Sequence, residues 1–247
     1  MGQTNVKLVQ NNDFDSACLT LYRAPFYRYR LGKDDDGGYI VFDLPCTYDL
    51  LLSGGVCDDI SFEVAFCTLH PQVPCAAFDG TVEGLPGGVH VPNITFFKKN
   101  IGSENTDSLT NWHEYLNKFQ NIFIKMDIEG HEFPWLNSLS LPQLANVAQI
   151  VMEFHEPMNA FHQAQFEKLN QTHYLVHFHG NNCNQTVVMH KNVVVPNVFE
   201  CTYVNKKFFL SPPTLNTEKL PSALDRKNSP HAPELQINYP PFVHSIQ

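Results

Sequence analysis

The sequence predicts an α/β fold built on a mostly parallel sheet. Short apolar runs of strand length alternate along the chain with segments of helical periodicity, and the connections between them are short, which is the pattern of βαβ units. The apolar run 122–126 ends abruptly in Asp127, Glu129 and Gly130. Because ligands of open α/β sheets bind beyond the carboxyl ends of the strands, Asp127 and Glu129 are the first candidates for catalytic residues.

Composition narrows the class of protein. The chain has 247 residues, 43% of them hydrophobic, and a formal charge of −9, which argues against a surface built for nucleic acid or anionic membranes. No apolar run approaches the ~20 residues that span a bilayer, and seven scattered cysteines form no Cys-x-x-Cys pair, as is typical of reduced thiols. We expect a cytoplasmic protein that acts on a small molecule; the sequence leaves its oligomeric state open.

The first third of the chain contains a strand, a glycine turn and a helix. We expect one domain over 1–247, with an N-terminal cap or lid at 1–30, a core at 31–210 and an extended C-terminal arm at 211–247. The Asp- and Gly-rich run 32–38 predicts a hairpin that leads into a strand at 39–42. A strand at 48–56 then breaks at Gly54 and Gly55, before a predicted helix at 57–66. This order is the opening of a nucleotide-binding domain, although the full Gly-x-Gly-x-x-Gly pattern is absent.

The middle of the chain supplies two further strands that end in polar residues. A strand at 75–79 ends in Asp79, which either accepts hydrogen bonds from a ribose diol or belongs to an Asp-Gly turn. A strand at 94–98 ends near Asn100, where an adenine edge often lies in such domains. A helix at 112–119 precedes the strand 122–126. After that strand, Asp127 and Glu129 are either catalytic acids or the cap and first turn of the next helix.

The last third of the chain contributes histidines. A helix or turn at 133–144 precedes a strand at 148–155 that carries Glu153 and His155. Next come a helix at 161–169 and a strand at 173–179 that carries His177 and His179. The last predicted strand is at 199–209. Since the carboxyl ends of parallel strands share one edge, we expect Asp127, His155 and His179 to converge on a divalent metal such as Mn, Fe, Co or Ni. Alternatively, the histidines pack in the core or bond the turn 180–182, and His131 is the base.

Several short motifs follow one another over residues 28–210. They are Arg30-Leu-Gly-x4-Gly-Gly-Tyr39, Ser53-Gly-Gly55, Phe62-Glu63, Phe78-Asp79, Lys125-Met-Asp-Ile-Glu-Gly130, Glu153-Phe-His155, His177-Phe-His-Gly-Asn-Asn182 and Glu200-Cys-Thr-Tyr203. Their order resembles that in the FkbM-like, S-adenosylmethionine-dependent methyltransferases. The Lys-x-Asp-Ile-Glu-Gly and His-Gly-Asn-Asn elements are the specific ones.

The resemblance implies a class I, Rossmann-like fold: a seven-stranded, mostly parallel sheet whose last strand is antiparallel. It also implies S-adenosylmethionine as cofactor, with Gly54 and Gly55 at its methionine part and Asp79 at its ribose. The full set of expected cofactor-binding residues is Asp36, Gly38, Tyr39, Ser53, Gly54, Gly55, Glu63, Asp79 and Asn100. Asp127, Glu129 and Glu153 are the expected catalytic residues, with Glu153 or Glu129 orienting the acceptor.

The form with His-x-His-Gly-Asn-Asn is similar to sugar O-methyltransferases of bacterial capsule synthesis, including those that act on nucleotide-linked heptoses. We therefore expect a nucleotide sugar, such as a GDP-heptose, as substrate. Two other classes stay open. A nicotinamide-dependent oxidoreductase would lack its usual glycine fingerprint here, and a non-catalytic, metal-dependent sugar-binding module would use the same acids and histidines without a nucleotide pocket.

Overall fold

A computed structural model describes residues 7–11, 13–156, 159–183, 186–190 and 193–245. The predicted N-terminal cap at 1–30 therefore lies partly outside the described residues. The strands are β1 Lys7–Asn11, β2 Arg28–Leu31, β3 Tyr39–Phe42, β4 Leu50–Gly54, β5 Cys75–Phe78, β6 Ile94–Phe97, β7 Asn100–Ile101, β8 Leu109–Thr110, β9 Ile122–Met126, β10 Val147–His155, β11 His173–Gly180, β12 Thr186–His190, β13 Val193–Pro196 and β14 Val198–Asn205. The α-helices are α1 Ser61–Leu69, α2 His113–Lys118, α3 Glu132–Ser138, α4 Leu141–Ala145 and α5 Ala160–Thr172.

A seven-stranded sheet forms the centre of the molecule, in the order β11-β14-β10-β9-β4-β5-β6. The neighbours β10, β9, β4, β5 and β6 pair in parallel, whereas β14 is antiparallel to both β10 and β11. A mostly parallel sheet with its last strand antiparallel is the Rossmann-like methyltransferase fold, and the predicted fold class is confirmed.

The position of β14 corrects one expectation. We expected the strands that carry Asp127, His155 and His179 to lie side by side, but β14 lies between β10 and β11. The hydrophobic pattern identifies β14 as a strand without giving its place in the sheet. His179 is therefore paired with Glu200 of β14 rather than with a residue of β10.

The sheet is buried on both faces, as its nearly continuous apolar strands predict. Because successive side chains of a strand point to opposite faces, Leu52 and Ile124 pack into one core cluster while Leu51 and Phe123 pack into the other. Each of these side chains is buried. The double-sided core fixes the register of the central strands, and thus the positions of the polar residues at their ends.

The Gly-rich turn after β2 is a hairpin, as predicted, with β2 and β3 antiparallel. The Arg30 side chain donates hydrogen bonds to the backbone oxygens of Lys33 and Asp35. At Gly38, a Cβ would lie 2.0 Å from the oxygen of Lys33 and 2.6 Å from the Arg30 guanidinium. The motif Arg30-Leu-Gly-x4-Gly-Gly thus folds the turn tightly around one arginine.

The C-terminal segment after Ser211 packs against the end of β11. Asp225 lies 2.8 Å from the Nε2 atom of His177, and the amide of Asn182 donates to the backbone oxygens of Ser229 (2.9 Å) and Ala232 (3.0 Å). These contacts join the segment to the His-Gly-Asn-Asn element. Among the described residues, no helix combines the length and apolarity that crossing a membrane requires.

Candidate active site

Gly55 and Asp127 meet where β4 and β9 end. Gly55 has a φ of +77°, and a Cβ at this position would lie 1.5 Å from the backbone oxygen of Asp127. The amide of Asp127 donates to the oxygen of Gly54 at 3.1 Å, and the Lys125 ammonium donates to the oxygen of Gly55 at 2.7 Å. Only glycine permits this approach, so the glycine pair and the Lys-x-Asp motif form one structural unit.

Two cavities open at this unit. The larger, about 740 Å³, is lined in part by Asp36, Glu63 and Lys125, and the smaller, about 330 Å³, by Asp79, Asn100 and Ile101 among others. Both are lined by Gly55, Cys57, Asp127 and Glu129. The ends of β4, β5 and β9 therefore border one continuous crevice.

The smaller cavity contains Asp79 and Asn100, which we expected to meet a nucleoside. The Asp79 carboxylate accepts hydrogen bonds from the amides of Cys57 and Thr81, each at 2.7 Å, and from the Thr81 hydroxyl at 2.6 Å. Burial acts to raise the pKa of Asp79, but these hydrogen bonds outweigh it and lower the pKa. The Asn100 oxygen accepts from the amide of Gly80 at 2.9 Å. Asp79 thus anchors the turn and also borders the cavity.

On the other side of the glycine pair, Ser53 donates a hydrogen bond to Glu63 of α1 in the buried interior. Gly54 packs closely, because a Cβ there would lie 2.1 Å from the Cδ1 atom of Ile101. Glu63 lines the larger cavity, whereas Ser53 and Gly54 are buried behind it. Their predicted contact with a cofactor stays a prediction.

Asp127, Glu153 and His155 form a compact group at the ends of β9 and β10. The Nε2 atom of His155 lies 3.3 Å from Glu153 Oε1, 3.9 Å from Asp127 Oδ1 and 3.4 Å from Glu129 Oε2. One ligand atom from each of Asp127, Glu153 and His155 lies within 4.8 Å of the others. Two carboxylate oxygens and an imidazole nitrogen at these separations fit a divalent metal. The Oδ1 atom of Asp127 is buried and forms no hydrogen bond with any described residue. This oxygen is therefore available to bind a ligand.

Glu132, to which the sequence assigned no role, holds this group in place. Its side chain is 0% exposed, and its Oε1 atom lies 3.1 Å from His155 Nδ1. The same oxygen accepts the amides of Ile128 at 3.3 Å and Gly130 at 3.2 Å. One buried carboxylate therefore orients both the imidazole and the loop that carries Asp127 and Glu129, in which Glu129 adopts a φ of 55°. The sequence did contain a signal for this role: Glu132 is a further acid, three residues after Glu129.

The pKa values of Asp127, Glu153 and His155 differ strongly from those of the same side chains in water. Burial raises the pKa of Asp127 to about 6 and that of Glu153 to about 8. Burial acts to lower the pKa of His155, but its contacts with Glu132 and Glu153 outweigh that effect and raise the pKa to about 11. Carboxylates whose pKa lies near neutrality are suited to accept a proton from a bound substrate.

His179 lies apart from this group, contrary to the predicted ligand set of Asp127, His155 and His179. Its Nδ1 atom lies 3.3 Å from Glu200 and its Nε2 atom 3.3 Å from Glu234. Among the described residues, the candidate metal-binding group that contains Asp127 and His155 takes Glu153 as its third member. The intervening strand β14 is the physical reason, because it places Glu200 between His179 and β10.

The remaining predicted site residues, Asp36, Gly38 and Tyr39, belong to the turn after β2 and the start of β3, and one of the three borders the larger cavity. Asp36 lines that cavity and accepts a hydrogen bond from Asn228 at 2.9 Å. Tyr39 is buried, with Phe62 packed edge-on to its ring at 5.7 Å. Gly38 belongs to the turn around Arg30. Sequence reasoning missed Asn228, whose contribution depends on the fold of the C-terminal segment.

Comparisons with known proteins assign the chain to no family. The sequence matches no protein-family model, and a search of curated proteins found no relative. One solved structure to which the chain is similar is the precorrin-6y C5,15-methyltransferase from Geobacter metallireducens GS-15; the alignment has 12% identity, covers 65% of this chain and 82% of that chain, and has a TM-score of 0.31. The fold assignment rests instead on the strand order and polarity of the central sheet.

Proposed function

We propose that the protein is an S-adenosylmethionine-dependent O-methyltransferase that acts on a sugar hydroxyl. One observation carries this proposal: the smaller cavity, bordered by Asp79 and Asn100, meets the larger one at Gly55 and Asp127. A nucleoside bound in the smaller cavity would direct its remaining part along the glycine pair toward the group of Asp127, Glu153 and His155. That placement suits a cofactor with a nucleoside at one end and a reactive group at the other.

The residues of the crevice have distinct roles in this proposal. Asp79 accepts hydrogen bonds from the ribose and Asn100 lies at the adenine edge. Gly54 and Gly55 border the methionine part, and the absence of a Cβ lets Ile101 pack against Gly54 and the Asp127 backbone pack against Gly55. The cofactor supplies an electrophilic methyl group. The protein contributes the alignment of donor and acceptor, which provides much of the acceleration of a displacement reaction.

The acceptor hydroxyl needs a group that takes its proton, since a sugar hydroxyl is ionised far above neutral pH. In a metal-free site Glu153, whose pKa is raised by burial to about 8, is our first candidate for that base. In this proposal Glu129, with a side chain that is 85% exposed, orients the acceptor. In the alternative arrangement, a divalent metal held by Asp127, Glu153 and His155 would lower the pKa of the bound hydroxyl.

The FkbM-like motifs support the substrate class, a nucleotide-linked sugar such as a GDP-heptose for a surface polysaccharide. The larger cavity has the polar lining that a polyhydroxylated acceptor needs, with Lys33, Arg226 and Lys227 beside the acids Asp34 and Asp36. Cations suit a phosphate-bearing acceptor, and carboxylates suit sugar hydroxyls.

The test is formation of S-adenosylhomocysteine with a panel of nucleotide sugars, in the presence of EDTA and after addition of Mn²⁺ or Fe²⁺. We expect turnover that EDTA abolishes and one metal restores, and loss of that turnover in Asp127→Ala with the fold retained by circular dichroism. Full activity of Asp127→Ala would refute its role. Turnover that resists EDTA would keep the enzyme class and make the group a metal-free acid–base site.

Calorimetry distinguishes the alternatives. Binding of S-adenosylhomocysteine supports the proposal, whereas binding of NAD(P) instead would identify an oxidoreductase. Metal-dependent sugar binding without either cofactor would identify a binding module.

A further inference from the structure

Lys125 and Glu63 are two buried side chains of opposite charge that line the larger cavity. The exposed fraction is 5% for Lys125 and 1% for Glu63. Neither forms an ion pair with the other or with any further residue of the described ranges. Charged groups that are buried in proteins are normally paired. A cation and an anion that both border one cavity without a charged partner therefore indicate a ligand that carries both charges.

The two side chains lie on the same face of the sheet, at the glycine pair. Ser53 of β4 is the register partner of Lys125 of β9, and side chains of paired residues point to one face. The Ser53 hydroxyl donates a hydrogen bond to Glu63, which brings this carboxylate from α1 to that face. The Lys125 ammonium donates to the oxygen of Gly55 at 2.7 Å. The positive and the negative group thus both lie beside the turn that follows β4.

The Lys125 ammonium retains hydrogen-bonding capacity for a ligand. A lysine ammonium has three N–H donors, and its hydrogen-bond acceptor among the described residues is the oxygen of Gly55. Its nitrogen also lies 5.9 Å from the centre of the Tyr39 ring. Neither of these partners carries a negative charge. The remaining donors suit a ligand carboxylate, because hydrogen bonds between two charged groups are the strong ones.

We propose that Lys125 binds the carboxylate, and Glu63 the ammonium group, of the amino-acid end of the cofactor. An α-amino acid carries these two charges on one carbon atom, and they would compensate the two buried side chains. The inference rests on the proposed function, which places the methionine part of S-adenosylmethionine at Gly54 and Gly55. It assigns a role to the lysine of the Lys-x-Asp motif, and it makes the larger cavity selective for a cofactor with an intact amino-acid end.

The test compares three ligands by calorimetry with the full chain. S-adenosylhomocysteine has both charged groups, decarboxylated S-adenosylhomocysteine lacks the carboxylate, and 5′-methylthioadenosine lacks the whole amino-acid end. We expect the natural protein to bind the decarboxylated ligand about 10- to 100-fold more weakly than S-adenosylhomocysteine, and 5′-methylthioadenosine more weakly still. Equal affinity for S-adenosylhomocysteine and its decarboxylated form would overturn the inference, whichever variants fold.

Two variants then assign the charges to their side chains. In Lys125→Gln, an amide can still donate to the oxygen of Gly55, but the charge is lost. S-adenosylhomocysteine should bind about 10- to 100-fold more weakly, whereas the affinity for the decarboxylated ligand should not change. Glu63→Gln retains an acceptor for the Ser53 hydroxyl and should weaken both ligands that carry the amine. Neither variant should alter the affinity for 5′-methylthioadenosine.

Lys118→Gln is the matched control, because Lys118 is an exposed lysine of α2 whose ammonium also lies over an aromatic ring, that of Phe119, at 5.3 Å. It should bind all three ligands as the natural protein does. Unchanged affinity of folded Lys125→Gln for S-adenosylhomocysteine, with a raised KM for a nucleotide sugar, would assign Lys125 to a phosphate of the acceptor and overturn the inference. If the natural protein binds none of the three ligands, the proposed function itself fails, whereas equal binding of all three refutes the inference alone.

Discussion

Glu132 and His155 form the contact on which the geometry of the candidate site depends. The carboxylate is fully buried, and its Oε1 atom lies 3.1 Å from His155 Nδ1. His155 therefore presents its other nitrogen, Nε2, toward Glu153, Asp127 and Glu129. A carboxylate behind a ligand histidine fixes the orientation of the ring and strengthens it as a ligand.

Replacing Glu132 with glutamine tests this arrangement. Glu132→Gln retains an oxygen that can accept the amides of Ile128 and Gly130, but it removes the charge beside His155. We expect Mn²⁺ affinity at the Asp127 group to fall by about 10- to 100-fold, while the urea midpoint changes little. The control is Glu114→Gln, an exposed glutamate of α2. Unchanged Mn²⁺ affinity in Glu132→Gln would show that the contact is only structural.

The contact between Gly55 and Asp127 predicts an unusually costly glycine replacement. A methyl group at Gly55 would overlap the Asp127 backbone oxygen, at 1.5 Å, in a backbone conformation with φ +77°. We expect Gly55→Ala to lower the free energy of unfolding by more than about 1–3 kcal/mol and to eliminate S-adenosylhomocysteine binding. Gly84→Ala is the matched control, because a Cβ there meets nothing within 4 Å. Equal stability of the two variants in urea would contradict the close contact between Gly55 and the Asp127 backbone oxygen.

Sequence patterns predicted the central sheet because its strands are continuous apolar runs with polar ends. The same logic placed Asp127, Glu153 and His155 at one edge, where the structure brings them together. It failed for His179 because the position of β14 depends on how the last strand packs, which apolar periodicity does not encode. Asn228 was missed for a related reason, since it reaches the larger cavity from a distant segment without periodicity.

Asp79 gives a direct test of the nucleoside cavity. Asp79→Asn keeps the shape of the side chain but removes the charge that its ribose hydrogen bonds would use. Hydrogen bonds to charged groups contribute about 1.5–3 kcal/mol, so we expect S-adenosylhomocysteine to bind about 10- to 100-fold more weakly by calorimetry. Asp107→Asn, an exposed residue of the loop before β8, should bind normally. Normal affinity in Asp79→Asn would exclude Asp79 from the ribose site.

His173 predicts a loss of stability in mild acid. Burial lowers its pKa to about 3, and its ring lies between the Thr172 hydroxyl at 2.8 Å and the Val147 oxygen at 3.1 Å. The unfolded chain, in which histidine titrates near 6.5, then binds more protons than the folded chain between about pH 3 and 6.5. Stability should therefore fall as pH decreases through that window, by up to about 1.4 kcal/mol per pH unit from this group.

Urea unfolding from pH 7 to pH 4 measures this effect. His173→Gln should flatten the dependence, whereas His231→Gln, an exposed histidine of the C-terminal segment, should leave it unchanged. An identical pH slope in the natural protein and His173→Gln would contradict the assignment.

The pair of Asp225 and His177 predicts how firmly the C-terminal segment is held. The two side chains lie 2.8 Å apart and are almost fully buried. Burial acts to raise the pKa of Asp225, but the charge and hydrogen bond of His177 outweigh it and hold the pKa well below its usual value. Asp225→Asn should therefore destabilise the protein at pH 7 by about 2–3 kcal/mol. Because the folded pKa is depressed, this difference should shrink as pH falls below about 4, where the carboxylate of the unfolded chain is protonated.

Glu234→Gln is the comparison, because Glu234 contacts His179 from a more exposed position and should cost less. Arg226 and Lys227, the two residues after Asp225, line the larger cavity, so loosening of the segment in Asp225→Asn should also weaken acceptor binding. Limited proteolysis at pH 7 should cleave Asp225→Asn after Arg226 or Lys227 faster than the natural chain. Equal cleavage rates and equal urea midpoints would mean that the segment is held by its other contacts, and that the buried pair contributes little to closing this side of the cavity.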